Sequence, residues 1–173
     1  AYKRDLTARG LSPYTVSVYL SAVRRFFSWA ESEGIYPNIA REVRGAKTRR
    51  QFNKDALTAA QARKVIEAAT DAREAALVVL LLTTGLRSVE VTRADVGDLR
   101  TVGDKAVLYI HGKGRDSKDD FVVVPPRTVD VLHTYLATRG TLKDNAPLFT
   151  GSGNRSRGRL TTRTVRRIVT AIF

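Results

Sequence analysis

Few side chains in this sequence have the type and spacing to do chemistry. The first candidates sit in TTGLRSVEV (83–91), where Arg87 and Glu90 stand three residues apart. This stretch closes the apolar run AALVVLLL (75–82) with a threonine pair and Gly85. A core helix can end at a glycine without an arginine, so a permanent cation at the edge of the most hydrophobic segment needs a reason. Arg87 could merely cap its helix or pair with Glu90 on one helix face. The second group is GKGRDSKDD (112–120), with Lys118 and with Lys113, which could be an ordinary turn lysine. His111 and His133 read as a strand residue and a helix-face residue. With no cysteine and two histidines, a disulfide framework, a thiolate site and a structural zinc site are not expected, and neither is a cofactor.

The charge says what such residues would meet. The net charge is +13, and it is lopsided. Residues 1–50 carry +6, residues 151–173 another +6 from six arginines and no acid, and the hundred residues between only +1. A solubility surface would spread its charge; two basic ends point to two contact surfaces for a polyanion. Nucleic acid is the best match, since lysine and arginine release its counterions. A membrane-surface helix would set bulky apolar residues beside the charge, whereas GSGNRSRGRLTTRTVRR (151–167) is rich in glycine and serine. No apolar run approaches the ~20 residues that span a bilayer, so no membrane partner is expected. The absence of cysteine fits a reducing cytosol, so the expected location is cytoplasmic. The sequence has no methionine, even at position 1, so Ala1 is not expected to be the native start.

The elements that must position these residues follow from periodicity. Residues 12–33 read as a helix, with Ser12 as cap, Pro13 at the first turn and Gly34 after the end. Val16, Tyr19, Leu20, Val23, Phe26, Phe27 and Ala30 should form its buried face, opposite Ser17, Ser21, Arg24 and Ser28. Pro37–Lys47 reads as a short helix with a basic end, and the charged, aperiodic KTRRQFNKD (47–55) as a linker. Thr58 with Gln61, and Asp71 with Glu74, have capping-box spacing. The second opens the apolar helix that ends at Gly85, and a third helix runs through Val91. AVLYIH (106–111) and FVVV (121–124) are β-branched and aromatic, and form a hairpin around the charged loop. Residues 127–139 return to helical spacing, PLFTG (147–151) is a buried bend, and a last helix starts near Thr162. It is still running at Phe173, so the domain reads as cut. The fold class is mainly α with a small antiparallel β-hairpin or sheet (α+β).

These residues resemble the tyrosine recombinases, or phage integrases. Gly85-Leu86-Arg87, Glu90, and Asp95 and Asp98 in ADVGDL resemble the family's first arginine box. Gly112-Lys113-Gly114 resembles its GKG hairpin, and RGLSPYTVSVYLSAVRRFFSWAESEG resembles its helical core-binding domain. PLF (147–149) and LTTRTVRRI resemble the next stretch of the catalytic domain. Integrases of conjugative transposons and related mobile elements are the nearest in pattern. The resemblance implies an N-terminally incomplete core-binding (SAM-like) domain at 1–48, a linker at 49–54, and the first portion of the catalytic domain at 55–173.

It also implies a function: site-specific DNA recombination and integration, by strand cleavage and rejoining through a 3′-phosphotyrosine. Arg87 would stabilise charge on the phosphate, Glu90 would orient it, and Lys113 would protonate the leaving 5′-oxygen. The hairpin departs from the family's GKGxKxR pattern, so Lys118 stands as the alternative acid. Ser12, Thr15, Arg24, Arg44, Lys47, Arg163, Arg166 and Arg167 are the candidate DNA contacts. The expected partners are double-stranded DNA, clamped between the two domains, and three further copies in a homotetramer on paired sites. The family's second box, histidine-x-leucine-arginine-histidine, and its tyrosine nucleophile find no match. The six tyrosines all precede the place where the nucleophile belongs. The 173-residue chain is therefore expected to bind DNA without cutting it. A non-catalytic DNA-binding protein or regulator on the same fold is the alternative.

Overall fold

The computed structural model describes residues 1–47, 56–112, 114, 117–151 and 158–172. The chain divides into two compact units, Ala1–Asp55 and Ala56–Phe173. The expected linker at 49–54 lies outside the described residues.

The first unit is built on α1 (Tyr2–Ala8) and α2 (Pro13–Ser32). Ser12 caps α2, its hydroxyl accepting the Thr15 N–H at 3.2 Å, with Pro13 at the first helical position. Its core is small: Leu6, Val16 and Leu20 are buried, with Leu11, Val43 and Ala46 packed against them. Two expectations fail here. Tyr19 and Phe26 are exposed, as are Tyr14, Val18 and Trp29. Apolar residues cover a wide arc of α2, and α1 and the 43–46 segment cover only one side of it. Pro37–Lys47 is not a helix but a turn at 39–42 followed by extended chain. The Asn38 side chain takes the Ala40 N–H at 3.1 Å, and a local Asx contact of this kind competes with helix propagation.

The second unit opens with α3 (Ala59–Glu67), capped by the reciprocal Thr58–Gln61 box. In α4 (Ala72–Thr84), Asp71 caps by accepting the Glu74 N–H at 2.8 Å. Glu74 does not complete a box; its carboxylate takes the N–H and hydroxyl of Thr70 instead. Ala76 through Leu80 are all buried, so α4 is surrounded and forms the core's axis. Gly85 ends it at φ 66°, a left-handed conformation that costs glycine little. Then come α5 (Ser88–Arg93) and a single 3₁₀ turn, Val96–Asp98.

The sheet has three antiparallel strands in the order β1 (Leu99–Val102), β2 (Lys105–Ile110), β3 (Asp120–Val123), rather than a lone hairpin. Leu99 pairs with Leu108 and Leu108 with Val122, and Gly103-Asp104 makes the two-residue turn between β1 and β2. α6 (Pro126–Ala137) packs on α4, and α7 (Thr162–Ile172) packs on α5. Leu77, Leu80, Leu108, Leu132, Leu148, Phe149 and Val165 fill the core, with the Tyr135 ring stacked on Phe149 at 5.3 Å. Each such residue contributes about 2 kcal/mol of burial. That core is the platform on which α5 and the hairpin stand.

Candidate active site

Arg87 is the N-cap of α5, extended at φ −73° and ψ 149° after the left-handed turn at Gly85. Leu86 is buried and pins the turn to the core. Glu90, one turn on, holds Arg87 twice. One carboxylate oxygen accepts the Arg87 backbone N–H at 2.7 Å, and the other accepts the guanidinium at 2.6 Å. The arginine cannot reciprocate as a cap, because its side chain only donates. The Glu90 side chain is 7% exposed and that of Arg87 67%. A buried carboxylate thus orients a guanidinium whose outer donors face solvent beside a helix N-terminus, an arrangement that can receive an oxyanion.

Lys113 lies outside the described residues. Lys118 is described, and it is engaged. Its ammonium donates to Asp95 at 2.6 Å and to Asp98 at 2.5 Å. Partial burial disfavours the lysine's charge, but the hydrogen bonds and charges of Asp95 and Asp98 outweigh it and raise the lysine's pKa. A proton held this tightly is poorly suited to transfer. Burial likewise opposes the Asp95 charge, and the hydrogen bonds from Lys118 and Arg159 overcome it, lowering that pKa.

Arg159 carries no distinguishing signal in the sequence, where it is one arginine among several in a basic stretch. In the structure its guanidinium donates to the Thr92 and Ala94 carbonyls at 3.2 and 2.9 Å and to the Asp95 carboxylate. Asp98 in turn accepts the Asp95 backbone N–H at 2.6 Å. Arg93, Asp95, His111, Lys118 and Arg159 line an open cavity of about 370 Å³. The Nδ1 of His111 is buried there with no hydrogen-bond partner among the described residues. His133 is exposed on α6.

The candidate DNA contacts fall on both units. Arg163, Arg166 and Arg167 are exposed on α7, opposite buried Val165 and Ile168. In the first unit Ser12, Arg44 and Lys47 are exposed, and Thr15 and Arg24 half-buried. The Arg24 Nε donates to the Leu20 carbonyl, and the Arg44 carbonyl is tied to Lys3 at 2.8 Å. Among the described residues there is no group of three His, Cys, Asp or Glu able to hold a metal, and no helix long and apolar enough to cross a membrane.

The chain resembles solved recombinase folds, and the sequence relatives decide the family. Tyrosine recombinase XerC of Thermodesulfovibrio yellowstonii is 34% identical over 174 residues, covering 93% of this chain and 55% of that protein. The chain belongs to the tyrosine recombinases. Tyrosine recombinase XerD of Caulobacter vibrioides is 32% identical over 178 residues, covering 95% of this chain and 56% of the relative. The chain thus spans about half the length of the recombinases it matches. A lambda integrase dimer bound to a core site shares the fold at TM-score 0.70, with 19% identity over 98% of this chain and 60% of that one. The same integrase is also solved as a tetramer bound to a Holliday junction, at TM-score 0.68. No family model matches the chain. As a tyrosine recombinase, the chain has a mainly helical fold carrying a small antiparallel sheet.

Proposed function

We propose that this chain belongs to a site-specific DNA recombinase that breaks and rejoins strands through a 3′-phosphotyrosine. A tyrosine hydroxyl gives up its proton to a base as its oxygen bonds to the scissile phosphorus, the bond to the 5′-oxygen breaks, and that oxygen takes a proton; rejoining reverses each step. Arg87 stabilises charge on the non-bridging oxygens, Glu90 holds it in place, and Lys113 supplies the proton. The observation that carries this reading is the buried Glu90 gripping a solvent-facing Arg87 at a helix N-terminus. Residues 55–173 belong to the catalytic domain and residues 1–48 to the core-binding domain, each contacting double-stranded DNA; the active protein is a tetramer on paired sites. The exposed Arg163, Arg166 and Arg167 support the DNA contact. With the second arginine box and the nucleophile unmatched, the 173-residue chain itself binds duplex and does not cut it.

The test combines duplex binding over a salt series with denaturing gels that detect protein covalently joined to a nicked suicide substrate. Salt-sensitive binding without an adduct is expected from this chain. An adduct formed by it would refute the inactive assignment. Absence of any duplex binding would remove the reading that this chain contacts DNA, and binding indifferent to Arg87→Ala would remove Arg87 as a phosphate contact in the bound state.

A further inference from the structure

The helix that presents Arg87 is six residues long. A helix this short has little stability of its own, so its direction is set by whatever holds its two ends. Glu90 holds the amino end. The carbonyl end would leave acceptors unsatisfied; the Leu148 N–H donates to the Ala94 carbonyl at 2.9 Å, and the Arg159 guanidinium takes that carbonyl and the Thr92 carbonyl as well, from 65 or more residues away in sequence. Arg159 is itself fixed by Asp95, whose other carboxylate oxygen receives Lys118, and Lys118 is also bound by Asp98. Two cations and two carboxylates thus join three segments: the end of α5, the chain leading into β3 and the chain leading into α7. The side chains of Asp95, Asp98 and Lys118 are 22%, 8% and 23% exposed and that of Arg159 is 38% exposed, so salt screens the Arg159–Asp95 pair more than the Lys118 contacts.

We propose that Arg159, supported through Asp95 by Lys118, is a positioning residue for Arg87, acting from the far end of α5. This rests on the reading of Arg87 as the residue that holds a DNA phosphate. Arg159 contributes to DNA affinity by fixing the direction in which Arg87 points, and Lys118 contributes one step further back. The Lys118 ammonium is then a tie for the arginine helix, and not a proton donor.

The test uses the 173-residue chain and a mixed-sequence DNA duplex at low salt. Without DNA, Arg159→Met should speed amide hydrogen exchange at Val91 to Ala94 by about tenfold and leave Val107 and Leu108 in the sheet unchanged. Lys118→Met should do the same more weakly, and Arg159→Lys should restore some of the protection. With DNA, Arg87→Ala should weaken binding roughly tenfold in the wild type. The same change in the Arg159→Met background should cost less than about twofold, because an Arg87 that no longer points correctly has already lost its contact. Two factors that multiply would overturn the proposal, since Arg159 would then be touching DNA itself or supporting the fold at large. Unchanged exchange at α5 would overturn it equally. If Arg87→Ala alone leaves binding intact, what fails is the reading of Arg87, and the exchange experiment still decides whether Arg159 holds the helix.

Discussion

Replacing Glu90 with glutamine keeps the shape of the side chain and removes its charge. In the structure this carboxylate is nearly buried and accepts two hydrogen bonds, at 2.7 Å from the Arg87 backbone and 2.6 Å from its guanidinium. Hydrogen bonds to a charged group contribute about 1.5–3 kcal/mol each, and neutral ones about 1. Glutamine keeps one oxygen, so it can retain one of the two bonds at reduced strength, while its amide group turns donor to donor against Arg87. Relief from burying a carboxylate offsets some of the loss. The balance is a cost of roughly 2 kcal/mol, which lowers the melting temperature of a unit this size by about 8 °C. Thermal unfolding followed by circular dichroism measures it, with Arg87→Ala and the double variant closing a cycle. The coupling should be about 1 kcal/mol or more, since the two residues share one contact. A melting temperature within about 2 °C of wild type, or additive effects, would refute the claim that Glu90 anchors Arg87.

Alanine at Arg163, Arg166 or Arg167 should lower duplex affinity alike for all sequences and reduce the salt slope by about 1 each, measured by fluorescence anisotropy over a salt series. The charge cluster should give a flat stability profile at neutral pH. Asp95 is held below its usual pKa, so its contribution is present above about pH 4 and lost as pH falls through its lowered value. Lys118 is held above its usual pKa, so its contribution is present below about pH 10 and lost only as pH rises beyond it. Asp95→Asn should therefore destabilise at pH 7, with the difference from wild type shrinking in acid unfolding. Phe149→Ala removes a ring that is 1% exposed and stacked on Tyr135, and should cost about 3–5 kcal/mol in denaturant unfolding.

The residues that could be read in the sequence are those whose signals are local. Ser12-Pro13 starts α2, the all-apolar run of α4 ends at Gly85, and Arg87 and Glu90 pair within one turn. Where the partner is far away in sequence, no local pattern marks the contact. Lys118 read as an alternative acid and not as a tie, because the carboxylates that hold it lie 20 and 23 residues back. Arg159 looked like its basic neighbours until the fold brought it to the end of α5. β1 gave no signal because three of its four residues are exposed, so burial imposes no alternation on LRTV. Periodicity marked α2 as apolar, but it does not say which side of a wide apolar arc finds a cover, and Tyr19 and Phe26 fell on the bare side. The 37–47 segment has helix-compatible spacing, yet its backbone turns where the Asn38 side chain takes the Ala40 N–H, a contact that competes with the helix.

That bare side of α2 holds Trp29, the single tryptophan of the sequence, 52% exposed and 5.9 Å from the Phe26 ring. Every photon of indole emission from this protein therefore originates on one face of one helix. The emission is wet, and so red, as long as that face meets water, and it turns blue when any surface, polypeptide or nucleic acid, excludes the solvent there. Without labelling, the protein signals the occupancy of that apolar face, and quenching by iodide would read out how open the face stays.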